Sequence, residues 1–317
     1  MPQNAEKLTL NYGGSTRQDR DSLYCFYHIP KCGGMDFYNS MVFSIFNSQT
    51  VAGREIICGR VDSEQDLVES KAALRGITAN YSSQVAPILG IIATHLGFKT
   101  HDKMLKDIRN IREVLILREP FSRLISAFCY DCMRRDHSFN INDFERYLMA
   151  HENRNSICKN LSQEYIKNTD TGFSKIISRI DDFYIFSTLS RQQHIIETIL
   201  KNHGLANVLK GRINATLNKY CHDYSDLTDK FYEQFINFNK HDIKLYNRAE
   251  KHPIEPNLEP NTHLNSAVTV LLKPVQTISR YESQAHAGET DKMSHILENL
   301  NSYDSIEQVL SCLNPTV

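Results

Sequence analysis

Two short runs constrain this chain more than anything else in it. Residues 88–94 read ILGIIAT and residues 113–117 read EVLIL. Continuous apolar runs of this length mark strands buried on both faces, the condition of a parallel sheet covered by helices. Residues 23–29, LYCFYHI, and 182–187, DFYIFS, supply two further strands rich in β-formers. Helical patterns follow each of them. Strands alternating with helices predict an α/β fold, an open and mostly parallel sheet flanked by helices, with a helical C-terminal extension. In such sheets ligands bind beyond the carboxyl ends of the strands. The polar residues just past those ends are therefore the candidates for function, and they are Lys31, His95 and Arg118.

The first of these stretches continues into a loop and a helix. Pro30 stops the strand, since it has no N–H for a ladder. Gly33 and Gly34 permit turns that a side chain forbids. From Met35 the apolar residues Met35, Tyr38, Met41, Val42 and Ile45 recur at helical spacing. The helix thus begins where the glycines end, and its free amides and positive dipole end face the loop. Lys31 adds a full charge to the same place. This is an anion site or an ordinary βα turn, and the stretch by itself does not separate the two. A second anion site is expected at Arg118, whose fork suits a phosphate, with Ser126 one or two helical turns further on. Pro120 opens that helix from its favoured first position, and Phe121, Leu124, Ile125 and Phe128 form its core stripe. Ser122 and Ser126 flank the stripe. His95 lies between the two sites in strand order and is a natural general base.

The rest of the chain bounds the partners. Its 317 residues suit one large α/β domain or two smaller ones. We read residues 1–22 as a loose leader, 23–251 as the main domain and 252–317 as an extension, with three prolines in HPIEPNLEP at the boundary. A net charge of −1 provides no bulk field for nucleic acid or membrane, so any anion site is local. No run of about 18 apolar residues is present, so no membrane span is expected. With no signal-peptide pattern, the expectation is a cytoplasmic protein. The eight cysteines are scattered and read as reduced thiols. Cys129 and Cys132 form a C-x-x-C without a second pair, so no metal site is expected. Further elements are a short strand near 55–58, helices over 63–74, 101–109, 190–202 and 227–251, and two helices near 290–300 and 304–313. An apolar run spans 267–275.

Three segments resemble a known family. HIPKCGG at residues 28–34 looks like the H-I-P-K-T-G-G loop of sulfotransferases that use 3′-phosphoadenosine 5′-phosphosulfate (PAPS), and within them the carbohydrate sulfotransferases of the heparan sulfate 2-O type. LREPFSRLIS at 117–126 is similar to that family's L-R-D-P-x-x-R-x-x-S. THLGF at 94–98 resembles its G-H-x-x-F segment. The likeness covers roughly residues 22–250. It implies a P-loop-like sulfotransferase fold, PAPS as co-substrate and PAP as product. It implies that Lys31, Cys32, Gly33, Gly34, Met35 and Asp36 hold the phosphosulfate, and that Arg118 and Ser126 hold the 3′-phosphate. Lys31 and His95 become the catalytic pair, one neutralising the leaving oxygen and the other taking a proton from the acceptor hydroxyl. The acceptor would be a small metabolite, a saccharide or a glycolipid, in a pocket built from loops such as 47–87, 131–180 and 252–317. Cys32, Met35 and Asp36 stand where the family usually has small hydroxyl residues, so either backbone amides carry the contacts or Asp36 turns toward the acceptor, to recognise a cationic group or serve as an auxiliary base. The rival enzyme is a P-loop kinase, which needs G-x-x-x-x-G-K-[ST] where this chain has lysine before its glycines. A non-catalytic nucleotide-binding module is the other rival.

Overall fold

The structure, a computed structural model, describes residues 8–10, 22–46, 55–61, 88–98, 102, 111–203, 205, 207, 224–253 and 268–272. Among the described residues the strands are β1 Leu8–Leu10, β2 Ser22–Tyr27, β3 Glu55–Val61, β4 Ile88–Thr94, β5 Ile111–Leu117, β6 Ile185–Thr188 and β7 Val268–Leu272. The α-helices are α1 Gly34–Phe46, α2 Pro120–Arg135, α3 Ile141–Met149, α4 Ser156–Leu161, α5 Gln163–Lys167, α6 Thr169–Ile180, α7 Gln192–Asn202, α8 Tyr224–Phe238 and α9 Lys240–Lys251.

Alternation along the strands builds two apolar faces, because successive side chains point opposite ways. Tyr24 and Phe26 of β2, with Val114 and Ile116 of β5, pack under α1 and α7. Tyr27, Leu115 and Leu117 pack under α4, α5, α6 and α9. A third cluster lies between α2, α3 and α8, centred on Phe121, Phe144, Phe231 and Phe235. The strands form one sheet in the order β1-β7-β3-β4-β2-β5-β6. Every neighbouring pair is parallel except β1 and β7. The sheet is therefore the open, mostly parallel one that the apolar runs predict. The chain steps out from β2 to β3, returns to β4, then crosses to β5. Its direction reverses at β2, and that is where ligand crevices form in such sheets.

Several boundaries differ from expectation. β2 ends at Tyr27, two residues short of Ile29. β3 is longer than residues 55–58, and β6 starts at Ile185 rather than at 182. β1 and β7 add strands from the stretches read as leader and extension. The helices expected over 63–74, 290–300 and 304–313 lie outside the described residues, as does that over 101–109 apart from Asp102.

The long helix expected over 227–251 is two helices, broken at Asn239. The break has a tertiary cause. Buried Asn239 accepts from the Asn155 amide at 2.7 Å and donates to the Phe235 carbonyl at 3.0 Å. Asn155 Oδ1 accepts from the amides of His241 and Asp242 at 2.9 and 3.2 Å, in the first turn of α9. The Asp242 carboxylate accepts from Ile157 and Cys158 at 2.9 Å each, in the first turn of α4. Each helix thus supplies the cap of the other, and orphan amides that a continuous helix would not have are satisfied.

At α2, Pro120 occupies the predicted first position. Glu119 caps the helix, accepting from Phe121 at 2.9 Å and Ser122 at 2.7 Å. Glu119→Ala is expected to cost about 1 kcal/mol, a loss typical of an N-cap, read as a lower unfolding midpoint in urea.

Candidate functional site

The loop after β2 is a tight turn followed by a helix start. The Cys32 amide donates to the Ile29 carbonyl at 3.2 Å, with Pro30 second and Lys31 third at φ 68°. That is the pattern of a type II turn, whose third residue takes positive φ. Holding a residue with a Cβ there costs roughly 1–2 kcal/mol, a strain of the kind found where geometry serves function. The Lys31 ammonium lies 3.8 Å from the ring centroid of Tyr130 in α2, within cation–π range.

Gly33 follows, with φ 74°. Its carbonyl accepts from the amides of Asp36 and Phe37 at 3.1 and 3.3 Å, and from Gln192 Nε2 at 3.1 Å. This starts α1 at Gly34. The amides of Gly34 and Met35 then stand in a first turn where no intrahelical acceptor exists. Asp36 sits in the same turn, where a negative charge suits the helix dipole. Both glycines are required by contact. A Cβ at Gly33 would come 2.3 Å from Leu189 Cδ1, and one at Gly34 would come 2.0 Å from His28 Cδ2.

Cys32 points away from the loop surface. Its thiol is fully buried among Ile29, Leu117 and Cys158. Burial pushes the thiol up from its ordinary value, against the nearby Arg123 charge and a hydrogen bond from the Arg118 amide. It is a protonated core group that ties the loop to the end of β5. Its amide is taken by the turn. The amides of Gly34 and Met35 lie beside Lys31 in the first turn of α1.

His95 follows β4, and its amide donates to the Val61 carbonyl at 3.3 Å. Thr94 Oγ1 donates to the same carbonyl at 3.0 Å and accepts from the Leu96 amide at 3.0 Å, which shapes the turn. On the neighbouring strand end, His28 donates its amide to the Thr94 carbonyl at 2.8 Å. The two imidazoles face each other with centroids 4.4 Å apart and planes tilted by 32°.

Arg118 follows β5 and is half-buried. Ser126 is 8% exposed, on α2. Arg123 precedes it by one turn and Tyr130 follows it by one turn, so the three share a helix face. Tyr130 meets Lys31, and Arg123 acts on Cys32. The face that carries Ser126 therefore looks towards the loop after β2. Arg123 is itself buried, with no hydrogen-bond partner for its Nε.

The structure thus gathers the loop, Arg118 and the Ser126 face on one side of β2, and His95 on the other. Sequence reasoning did not foresee that the His28 ring packs on His95 or that Gln192 holds the Gly33 carbonyl. The signal for His28 was its place at a strand end, the same signal that picked out His95 and Arg118. Gln192 carries no local signal. Among the described residues no cluster of three or more His, Cys, Asp or Glu side chains is placed to hold a metal ion, and no helix is long and apolar enough to cross a membrane.

No family model and no curated protein matches the chain. Among solved structures it is similar to a mouse sulfotransferase, SULT7A1 complexed with PAP. The identity is 12%, over 95% of this chain and 90% of that one, with a TM-score of 0.28, a likeness too slight to carry a conclusion about this chain.

Proposed function

We propose that this chain is a PAPS-dependent sulfotransferase, similar to the carbohydrate type, that moves a sulfuryl group to the hydroxyl of a small metabolite, saccharide or glycolipid. One observation carries the reading. Adjacent parallel strands β4, β2 and β5 end in His95, the Lys31 loop and Arg118, so a base, an anion cradle and an anion clamp stand on one rim. The outer two are two strand spacings apart, about 10 Å across the sheet. The cradle after β2 and the clamp after β5 follow adjacent strands, about 5 Å apart, and a ligand with two separated anionic groups suits that pair.

The roles follow from position. The amides of Gly34 and Met35, with Lys31, hold the 5′-phosphosulfate; Arg118 and Ser126 hold the 3′-phosphate. The acceptor oxygen attacks sulfur in line as its proton passes to His95. The bond between sulfur and the bridging oxygen breaks, and Lys31 neutralises the charge left on PAP. The products are a sulfate ester and PAP. Catalysis is positioning plus stabilisation of leaving-group charge, and no step calls on a metal.

Calorimetric titration with PAP and with ATP tests this reading. PAP is expected to bind and ATP to bind far more weakly, and Lys31→Ala is expected to weaken PAP about tenfold or more by removing a charged contact. Preference for ATP would move the chain to the kinase class. PAP binding with no transfer of labelled sulfate would make it a binding module.

A further inference from the structure

We propose that Arg123 is a further ligand of the anion that Ser126 faces, a buried guanidinium whose counter-charge arrives with the bound molecule. On the sulfotransferase reading that anion is the 3′-phosphate, so Arg123 sets the preference for a 3′-phosphorylated nucleotide. The inference rests on that reading only for the identity of the anion.

A guanidinium is charged at any pH a protein meets. Taking such a charge out of water is costly unless a partner compensates it, so buried arginines are paired as a rule. Arg123 departs from the rule. It is 7% exposed, and its Nε is buried with no hydrogen-bond partner. Among the described residues no carboxylate forms an ion pair with it, and its side chain donates no hydrogen bond. Asp242 feels its charge, but the two oxygens of that carboxyl are taken by the amides of Ile157 and Cys158. Tyr147 feels it too, and is a neutral phenol that burial pushes up to about 12.

A second cation stands close by. Burial raises the Cys32 thiol, and the charges of Arg123 and Arg118 both pull against it. Two guanidinium groups thus act on one buried atom at the foot of the loop after β2. Like charges brought together favour an anion between them. Ser126 lies one turn along the same helix face from Arg123 and is 8% exposed. Among the described residues its hydroxyl has no hydrogen-bond partner either. Arg123 and Ser126 are therefore two buried donors, side by side, that lack an acceptor. A phosphate supplies what both lack, several acceptor oxygens and a negative charge, in a shape that suits an arginine fork.

Calorimetry with three probes tests the proposal. PAP, adenosine 5′-monophosphate (AMP, without the 3′-phosphate) and inorganic phosphate are each titrated into the full chain, Arg123→Met and Arg123→Lys. Methionine keeps an unbranched stem and removes the charge; lysine keeps a charge and loses the planar fork. Arg123→Met is expected to weaken PAP and inorganic phosphate by about tenfold to a hundredfold and to leave AMP within about threefold, with Arg123→Lys in between. Without ligand, Arg123→Met is expected to melt no lower than the native chain, since an uncompensated buried charge has gone. An arginine kept for structure alone would show a clear fall instead. In the wild-type chain, the Nε–H signal of Arg123 is followed by NMR and is expected to move with PAP and not with AMP. That arm needs no variant, so it decides the matter even if neither variant folds.

PAP affinity unchanged in Arg123→Met, or an Arg123 signal unmoved at saturating PAP, overturns the proposal and leaves the sulfotransferase reading standing. Equal losses for PAP and AMP, or a melting temperature lowered without loss of PAP affinity, do the same. Phosphate binding that depends on Arg123 in a chain that does not bind PAP overturns the sulfotransferase reading and keeps the anion site. A wild-type chain that binds none of the three probes overturns both.

Discussion

Replacing His95 with glutamine is expected to lower sulfuryl transfer from PAPS by about 10²- to 10⁴-fold, the range of a lost general base, while PAP binding stays near that of the intact chain. The split follows from the architecture. His95 is carried by β4, whereas the anion loop follows β2 and the Arg118 clamp follows β5. Glutamine keeps a polar side chain of similar reach and removes the basic nitrogen. The hydrogen bonds of the turn, from the His95 amide to the Val61 carbonyl and from the Leu96 amide to Thr94 Oγ1, do not involve the ring. The measurement is single-turnover transfer of labelled sulfate to whichever acceptor a mass-gain screen of metabolites returns, with PAP calorimetry alongside. A variant that transfers at the wild-type rate removes His95 from the chemistry. One that loses PAP binding too puts it in the nucleotide site instead.

The second large effect concerns folding. Asp242→Ala is expected to destabilise the chain by roughly 2–5 kcal/mol, because two buried amides lose their acceptors. At this chain length that corresponds to a fall in melting temperature of about 3–8 °C. Asp242 is 2% exposed and caps α4 through Ile157 and Cys158. Asp242→Asn keeps one acceptor oxygen and is expected to lose less. The pH dependence separates charge from hydrogen bonding. Burial raises the Asp242 carboxyl above its ordinary 3.8, and the two amides only partly pull it back. A folded-state value above the unfolded one means that the stabilisation is complete below pH 3.8 and is lost as pH rises through the raised value. Relative to Asp242→Asn, the native chain should therefore lose stability as pH climbs from about 4. Urea unfolding of both at several pH values reads this directly. A difference that grows with pH would show that the carboxylate, not the acid, is the favoured form.

What was legible in the sequence depended on how local the cause was. ILGIIAT predicts a strand over 88–94, and β4 spans Ile88–Thr94, since burial on both faces leaves no competing pattern. The start of α2 was legible because Pro120 acts on its own backbone. The end of β2 was not. Ile29 is apolar and 4% exposed, so it reads as strand, yet its amide donates to Tyr27 in a turn. Apolarity reports burial rather than ladder pairing, and those two residues of overreach hid His28 inside a strand it in fact follows. Cys32 shows a second limit. A loop motif places the peptide near the anion without saying which way a side chain points, and this thiol faces the core. The break at Asn239 had no local sign, because the partner that enforces it, Asn155, lies 84 residues away. Gln192 was invisible for the same reason, reaching Gly33 across 159 residues.

The register of β4, β2 and β5 has a consequence for selectivity. Tyr27 pairs with Thr94 on one side and Leu115 on the other, so the histidines and Arg118 ride on hydrogen-bonded rungs and not on flexible arms. The separation between base and clamp is a count of strands. Side-chain substitutions can retune charge or shape at either end, but the interval itself is a gauge cut into the backbone, and it changes only if a strand is inserted or slips. On the proposed reading, ligands are sorted by length before they are sorted by chemistry.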